Sequence, residues 1–538
     1  MSSVPVSEPP ADPAPAAGPR VHFVRAFLSS ALATGLSRVL GAAREVSVAA
    51  FLGVGEASDA FNLAWTIPNA FRRFVADEGL TGAMIPALAR AEAEGGEGEL
   101  RRLGATTFGA LLLANVVLVG AGVIGAPWLV LLFAPTWRED PEHLAQAVSM
   151  TRLMFPFVGM VSIVSFYEGL LNYRGHFFVP KFAPAVISMG VISAALFFGD
   201  FFAEPVYALV WGTLIGAALH VLIHLIPLGL YWGRVGLGWD PSSPRVRAIA
   251  IEMSKVIAIG LFAQVNLLVL QQLATSLPRG SLTIYRNSTQ LTDLAQGIVA
   301  VAIGSALLPN ISVSVSTKDW ARFRAELARA LRLAAFLLIP AAVVLFAFGT
   351  PVTAMLFRLG KYTWEDVQRT SAALQFLSPF VLGVAGTNIL KKVYFALEDR
   401  GTLLKVGAFG VALTGGIGWT LIGWMEVRGL ALALSISTVL QLSAYLFLLW
   451  RRLGADLGLG GLVGPMARIA VACVPFGLAL ALFAGLGDWE RGPESVENWL
   501  VAGGGFAVSA VVYALAAWLV GVQEVSAVIG LVRRRLGR

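Results

Sequence analysis

The chain alternates long apolar runs with short polar, glycine- or proline-containing segments along nearly its whole length. A membrane-spanning helix needs about 20 mostly apolar residues. The runs of that length lie near 24–52, 58–88, 104–133, 146–171, 178–199, 205–232, 248–277, 282–312, 330–348, 368–397, 402–422, 429–450, 466–486 and 498–521. The pattern therefore predicts an all-α polytopic membrane protein with about 14 transmembrane helices.

Composition agrees with this interpretation. Of 538 residues, 57% are hydrophobic and only 14% are charged, which excludes a soluble globular protein. The net charge of +7 comes from basic residues scattered between the apolar runs, so we expect membrane lipids, and no nucleic acid, as partners. The single cysteine, Cys473, excludes an intramolecular disulfide and a cysteine-based metal site, and we expect no cofactor.

The distribution of basic residues predicts the orientation. With a cytoplasmic amino terminus, roughly 23 Lys and Arg lie in or beside the inside segments and roughly 6 lie outside, a strong positive-inside bias. An even number of spans then leaves both termini in the cytoplasm. Residues 1–20 are rich in Ala and Pro, which predicts a disordered cytoplasmic tail.

Short sequence motifs of the first half of the chain recur in the second half. Gly125-Ala-Pro127 returns as Gly349-Thr-Pro351, and Pro156-Phe157 returns as Pro379-Phe380, at offsets of about 224 residues. This shift carries the first span onto the seventh and preserves orientation, so it predicts two parallel six-helix repeats. The predicted segments are an amino-terminal lobe (21–240), a carboxy-terminal lobe (241–455), and two extra helices with a basic tail (456–538).

Polar stripes interrupt the spans where such repeats would meet. On the second span five polar residues follow one another at helical spacing and share one face: Asp59, Asn62, Thr66, Asn69 and Arg73. An arginine within a membrane span is costly and normally faces a protein interior or watery cavity. The candidate substrate-binding residues are Arg38, Arg44, Arg72, Asp59, Ser37, Glu45, Asn69, Arg73, Arg286 and Gln290. The alternatives are interhelical hydrogen bonding for the amides and an ordinary loop-end charge for Arg73.

The chemistry of these residues favours a carrier of an anion. Arginine suits bidentate phosphate recognition, and the first two spans keep a cationic surplus in their deeper part. No P-loop sequence and no set of nucleophile, base and orienting group is present, so we expect a transporter with no catalytic residue. His220 and His224 lie one turn apart, but no carboxylate or cysteine lies within a turn of them. Lining or packing is therefore favoured over a metal site.

Several motifs together resemble one known family. They are Ser37-Arg38-Val39-Leu40-Gly41, Arg44-Glu45, Ser58-Asp59-Ala60-Phe61, Ile67-Pro68-Asn69-Ala70-Phe71-Arg72-Arg73, Glu78-Gly79, Ile85-Pro86, Leu308-Pro309 and Leu356-Phe357-Arg358-Leu359-Gly360-Lys361-Tyr362-Thr363. This set resembles the MurJ (MviN) family of lipid II flippases, within the multidrug/oligosaccharidyl-lipid/polysaccharide exporter superfamily. It covers most of the chain and is densest over about 36–90.

The resemblance implies a function. It implies movement of lipid II, the undecaprenyl-diphosphate-linked peptidoglycan precursor, from the inner to the outer leaflet of the bacterial cytoplasmic membrane for cell wall synthesis, by alternating access of two lobes. It implies essential cavity arginines at Arg38, Arg44 and Arg72 and an essential aspartate at Asp59. From the residues themselves we expect the arginines to bind the diphosphate, and Asp59 to hold an arginine in place or to form part of the outer gate. The peptidoglycan synthesis machinery is the implied partner.

The chain departs from the family pattern at two positions. Glu45 stands where the family usually has aspartate, and Gln290 stands where it has a cavity arginine, with Arg286 one turn earlier. The second difference leaves open another lipid-linked oligosaccharide exporter of the same superfamily. A membrane glycosyltransferase is a weaker alternative, because it should carry a large extramembrane loop with catalytic carboxylates.

Overall fold

The computed structural model describes residues 20–75, 79–240, 242–306, 308–454 and 460–524. These residues form α-helices joined by turns and short 3-10 segments, and the described ranges contain no strand. The helices are α1 (Arg20–Leu52), α2 (Glu56–Val75), α3 (Gly79–Phe133), α4 (Pro141–Met154), α5 (Pro156–Tyr173), α6 (Phe178–Phe182), α7 (Pro184–Phe197), α8 (Val206–Tyr231), α9 (Pro244–Thr275), α10 (Ser281–Ala306), α11 (Leu308–Ser316), α12 (Trp320–Ala347), α13 (Gly349–Phe357), α14 (Trp364–Ala396), α15 (Arg400–Met425), α16 (Val427–Leu453), α17 (Gly460–Ala484) and α18 (Val496–Leu519). The predicted all-α class is confirmed.

The helices pack as two similar groups, which we call the first lobe (α1–α8) and the second lobe (α9–α16). In the first lobe α1 packs on α7, α7 on α8, α5 on α8 and α3 on α5. In the second lobe α9 packs on α15, α15 on α16, α14 on α16 and α12 on α14. The same pairings recur in the same order, so the repeat detected in the sequence is a repeat of structure. The residue boundaries predicted for the lobes stay predictions.

Ten helical stretches are long and apolar enough to cross a membrane, among the residues that the structure describes. The predicted number of 14 is therefore not confirmed. Helices α1, α2, α9 and α10 are not among the ten, and all four contribute polar side chains to the cavity described below. A helix that lines a polar cavity does not need apolar residues on every face.

Some helix boundaries differ from the predicted ones. Within the predicted span 58–88, the structure describes α2 as far as Val75 and α3 from Gly79 onward, and residues 76–78 lie outside the described residues. Helix α3 then continues to Phe133 and is interrupted at Gly96. Gly96 has a φ of 65°, a backbone conformation that glycine adopts at little energetic cost. The predicted loop between 88 and 104 is mostly helical, because its Ala and Glu residues favour helix.

The last two helices form an addition to the second lobe. Helix α17 packs against both α12 and α18, and a small buried cluster with Ile469, Ala472 and Cys473 at its centre joins them. The two extra carboxy-terminal helices predicted from the sequence are therefore present. The predicted amino-terminal tail, apart from Arg20, and the basic tail after residue 524 lie outside the described residues.

Candidate functional site

A cavity of about 880 Å³ lies between the two lobes. Helices α1, α2 and α5–α8 line it from the first lobe, and α9, α10, α14 and α16 line it from the second. Of the predicted site residues, it brings together Ser37, Arg38, Arg44, Glu45, Asn69, Arg72, Arg286 and Gln290. The polar stripes read from the sequence therefore line one shared space.

Glu45 connects the arginines of the two lobes. Its carboxylate lies 2.5 Å from Arg44 of the same helix and 3.5 Å from Arg286 of α10. The Arg44 guanidinium also lies over the ring of Trp65, 5.0 Å from the ring centroid, where a cation is attracted by the aromatic face. Glu45 is buried with 8% of its side chain exposed, so its charge is balanced by these two guanidinium groups.

Arg38 crosses from one lobe to the other. Its Nη1 donates a hydrogen bond of 3.2 Å to the backbone oxygen of Gly297 on α10. A Cβ atom at position 297 would lie 2.7 Å from the same nitrogen, so glycine leaves room for the guanidinium. The rest of the Arg38 side chain is exposed to the cavity.

Arg72 is positioned by its own helix. Its Nε donates a hydrogen bond of 2.7 Å to Oδ1 of Asn69, one turn earlier on α2. Both residues line the cavity, so the amide fixes part of the arginine while the guanidinium borders the space. The side chain of Arg73 lies outside the described part of the structure.

Asp59 lies beyond the cavity lining, at the contact between α2 and the start of α10. Its carboxylate accepts hydrogen bonds from the backbone N–H groups of Gly280 and Thr283, at 2.7 and 2.8 Å, and from the Thr283 hydroxyl at 2.7 Å. The buried aspartate of one lobe thus caps the first turn of a helix in the other, where negative charge is favoured. Asn62, one turn on, also donates to Thr283.

Further contacts join the two lobes near Asp59. Arg279 of the second lobe forms ion pairs with Glu56 and Asp140 of the first. The backbone N–H of Lys361 donates to the oxygen of Ala50 at 2.8 Å. We call these contacts, together with those of Asp59, the closed end.

The motif over 356–363 makes part of the closed end. Gly360 has a φ of 56°, and a Cβ atom there would lie 2.3 Å from the Ala50 oxygen. Only glycine fits so close to the last turn of α1 without a shift of the backbone. Thr363 and Asp366 then form a capping box that starts α14.

The cavity also contains charged residues that the sequence analysis did not select. Lys391 of α14, Lys181 of α6 and Asp293 of α10 all line it. Lys391 lies inside a predicted span, so the rule that selected the arginines could have found it. The described cavity cations are Arg38, Arg44, Arg72, Lys181, Arg286 and Lys391, and the carboxylates are Glu45, Glu168 and Asp293. The cationic surplus expected from the sequence extends to the whole cavity.

The histidine pair has a carboxylate neighbour that sequence spacing does not reveal. Glu168 of α5 lies beside His220 and His224 of α8, with ligand atoms within 4.8 Å of one another. The expectation that no metal binds depended on neighbours in sequence alone. It stays an untested prediction, and we return to it below.

A family model described as lipid II flippase MurJ matches residues 48–490. The chain belongs to this family. A lipid II flippase MurJ of Burkholderia cenocepacia is 30% identical over 438 residues, which are 81% of this chain and 85% of the relative. A probable lipid II flippase MurJ of Rhizobium tropici is 27% identical over 532 residues, 96% of this chain and 97% of the relative.

Solved structures show the same fold. A lipid II flippase MurJ in an inward closed conformation matches with a TM-score of 0.73 and 17% identity, over 95% of this chain and 99% of that one. An inward-facing multidrug resistance MATE family transporter of the MOP superfamily matches with a TM-score of 0.64 and 13% identity, over 76% and 93%. These two structures show the fold. Membership of the MurJ family makes the chain a multi-pass inner-membrane transporter rather than an enzyme, as the sequence analysis predicted.

Proposed function

We propose that this chain moves lipid II, the undecaprenyl-diphosphate-linked peptidoglycan precursor, from the inner to the outer leaflet of the cytoplasmic membrane. The observation that carries the proposal is the cavity between the two lobes, which has six cationic side chains and three carboxylates among its described residues, in a chain of the MurJ family. A polyprenyl diphosphate brings the negative charge that this surplus requires.

The arginines of the first lobe bind the diphosphate in this proposal. A guanidinium can donate two parallel hydrogen bonds to a phosphate, which a lysine ammonium cannot do. Arg38 donates from Nη1 to the backbone oxygen of Gly297, Arg72 donates from Nε to Asn69, and both side chains line the cavity. Arg44 forms an ion pair with Glu45. In this proposal it adds positive charge to the same wall of the cavity as Arg38 and Arg72.

The closed end supports alternating access. With both termini in the cytoplasm, as the basic residues predict, the turn between α1 and α2 faces the outside. The contacts of Asp59, Arg279 and Lys361 then close the cavity toward the outside. In this proposal Asp59 is part of an outer gate, and delivery of lipid II requires its hydrogen bonds to α10 to break.

In this proposal, lipid II that reaches the outer leaflet is consumed there. Peptidoglycan synthesis enzymes that remove lipid II from the outer leaflet are the proposed downstream partners, because removal of product favours outward transport. Membrane potential is a second driving force for a cationic cavity that resets between faces, at about 2.3 kcal/mol per charge per 100 mV.

One observation favours a second candidate function, the export of another lipid-linked oligosaccharide. Gln290 lines the cavity where the family resemblance implies an arginine, and Arg286 one turn earlier is engaged with Glu45. A weaker cationic contact from the second lobe would suit a different lipid-linked oligosaccharide. The same experiment separates the two candidates.

The test depletes a bacterial host of its own lipid II flippase and expresses this chain beside its Arg38→Ala and Arg72→Ala variants at equal levels. We expect the native chain to restore growth and outer-leaflet lipid II and both variants to fail. Correct insertion without rescue would reject lipid II and favour the second candidate. Rescue by both variants would retain the flippase and reject our account of diphosphate binding.

A further inference from the structure

Three potential metal ligands meet at the wall of the cavity. Glu168 extends from α5, and His220 and His224 lie one turn apart on α8, so both imidazoles share a face. Glu168 and His220 line the cavity, whereas His224 is 0% exposed behind them. The cluster shares no residue with the arginines or with the closed end.

A hydrogen bond determines which nitrogen of His224 carries the proton. Its Nδ1 lies 2.8 Å from the backbone oxygen of His220, and a carbonyl oxygen can only accept. Nδ1–H of the neutral ring is therefore the donor, and Nε2 carries a free lone pair. Metal-binding histidines are commonly oriented in this way, with one nitrogen donating to a carbonyl and the other bound to the ion.

The remaining imidazole nitrogens are buried without partners. Nε2 of His224 and both ring nitrogens of His220 have no hydrogen-bond partner among the described residues. Buried polar atoms of this kind are rare in proteins because they lose their contacts with water and gain none in return. A ligand between the two rings would satisfy them.

We propose that Glu168, His220 and His224 bind a divalent first-row transition metal ion of the Zn²⁺ type. Two imidazole nitrogens and one carboxylate oxygen are a known zinc ligand set that leaves a fourth position open. Mg²⁺ and Ca²⁺ prefer oxygen ligands, so they fit this set poorly.

The distances require only small side-chain movements. Metal–ligand bonds of about 2.0–2.2 Å allow two ligand atoms of one ion to be at most about 4.4 Å apart. The three ligand atoms here lie within 4.8 Å of one another. A shift of a few tenths of an ångström, which side-chain rotation supplies, brings them into range.

The position gives the ion a defined environment. Arg72 acts electrostatically on His220, so it opposes a cation there, and the carboxylate of Glu168 is needed to offset it. The open coordination position would face the cavity through Glu168 and His220. The ion would fasten α5 to α8 and add positive charge to the first-lobe wall. The proposal goes beyond the transport function and does not depend on the identity of the lipid.

The test uses the full-length chain, purified, stripped with EDTA and placed in lipid nanodiscs. Zn²⁺ is titrated by calorimetry, and bound zinc is counted by elemental analysis for the native chain, Glu168→Gln, His224→Gln and His143→Gln. His143 is the matched control, a buried histidine of the same lobe that packs on Trp137. We expect one ion per chain in the native and control proteins, and affinity about tenfold or more weaker in the other two.

A further variant, His224→Cys, controls for the case in which a substitution abolishes metal binding only because the protein fails to fold. His224→Cys should still bind Co²⁺ and should add a thiolate-to-cobalt absorption band that the native chain lacks. Zinc binding that is equal in all four proteins, or absent in the native chain, would overturn the site. Co²⁺ binding by His224→Cys without the new band would overturn the assignment of His224 as a ligand. Each readout is independent of transport, so a failure here leaves the proposed function standing.

Discussion

The two walls of the cavity differ in how they carry charge. The first-lobe wall contributes Arg38, Arg44, Arg72 and Lys181, whereas the second-lobe wall contributes Arg286 and Lys391 among many amides and hydroxyls. Where the lobes touch, Arg38 and Asp59 of the first lobe bond to backbone groups of the second. The charged partner belongs to the first lobe in both contacts.

This asymmetry assigns different tasks to the lobes. A backbone group exposed by separation of the lobes can bond to water, whereas a buried charge that loses its partner costs several kcal/mol. Where separation of the lobes opens such a contact to water, the charge and the backbone group can both be solvated. These contacts are therefore easier to break than the buried ion pair between Glu45 and Arg286, which also joins the lobes. We infer that the diphosphate stays mainly with the first lobe while the second lobe moves, and three substitutions can break or sharpen this comparison.

The largest effect is expected from Arg44→Gln. It removes a cation from the first-lobe wall and leaves buried Glu45 with Arg286 alone, at 3.5 Å. Breaking a buried ion pair costs about 3–5 kcal/mol, and the remaining arginine places the expected loss near the lower end. We expect a melting temperature several degrees lower in the purified protein and no rescue of flippase-depleted cells.

Two further variants test this explanation. Arg138→Gln changes an exposed arginine outside the cavity and should leave both readouts unchanged. Adding Glu45→Gln to Arg44→Gln removes the unbalanced carboxylate and should restore part of the stability but not the rescue. A double variant as unstable as Arg44→Gln would show that the ion pair is not the reason for the loss.

A smaller effect is expected from Asp59→Asn at the closed end. The variant keeps the side-chain shape but loses the charge that accepts from Gly280 and Thr283. Hydrogen bonds to a charged group are worth about 1.5–3 kcal/mol, against about 0.5–1.5 for neutral ones. We expect the closed end to weaken by about 1–2 kcal/mol, which raises the population open at that end about 5- to 30-fold.

Spin labels on the 53–55 and 276–280 turns, in a Cys473→Ser background, would measure the distance across the closed end. Glu56→Gln is the matched control, because Glu56 also pairs across the lobes but its side chain is 41% exposed. Exposed ion pairs contribute about 0–1 kcal/mol, so the control should shift the distance distribution less. Equal shifts in the two variants would show that Asp59 stabilises the closed end no more than an exposed ion pair does.

The sequence predicts the helices and the cavity better than it predicts the contacts. The stripe of Asp59, Asn62, Thr66 and Asn69 lies on one face of α2, as its spacing indicates. The structure divides that stripe, because its first half contacts α10 and its second half lines the cavity. Periodicity identifies a shared face but does not tell what each turn of the helix meets.

Other features of the site arise from packing between segments that are far apart in the sequence, so the sequence alone could not predict them. Glu168 reaches the histidine pair only because α5 packs on α8, so neighbours along the chain could not reveal the cluster. The partner of Asp59 lies more than 200 residues away. Lys391 is different, because a lysine inside an apolar span was visible in the sequence and was not weighed.

The smallest effect is expected from Lys391→Gln on the second-lobe wall, with Gln290→Arg as its inverse. If the diphosphate stays with the first lobe, loss of the lysine should slow lipid II delivery only about two- to fivefold, within the range of a weak ionic contact. Gln290→Arg adds a guanidinium beside Arg286 and should change the rate by a similarly small factor. Lipid II accumulation in the outer leaflet, followed over time at equal expression, measures both. Loss of rescue by Lys391→Gln as complete as with Arg72→Ala would mean that the lobes share the diphosphate equally, because the second lobe would then hold a charge that transport cannot do without.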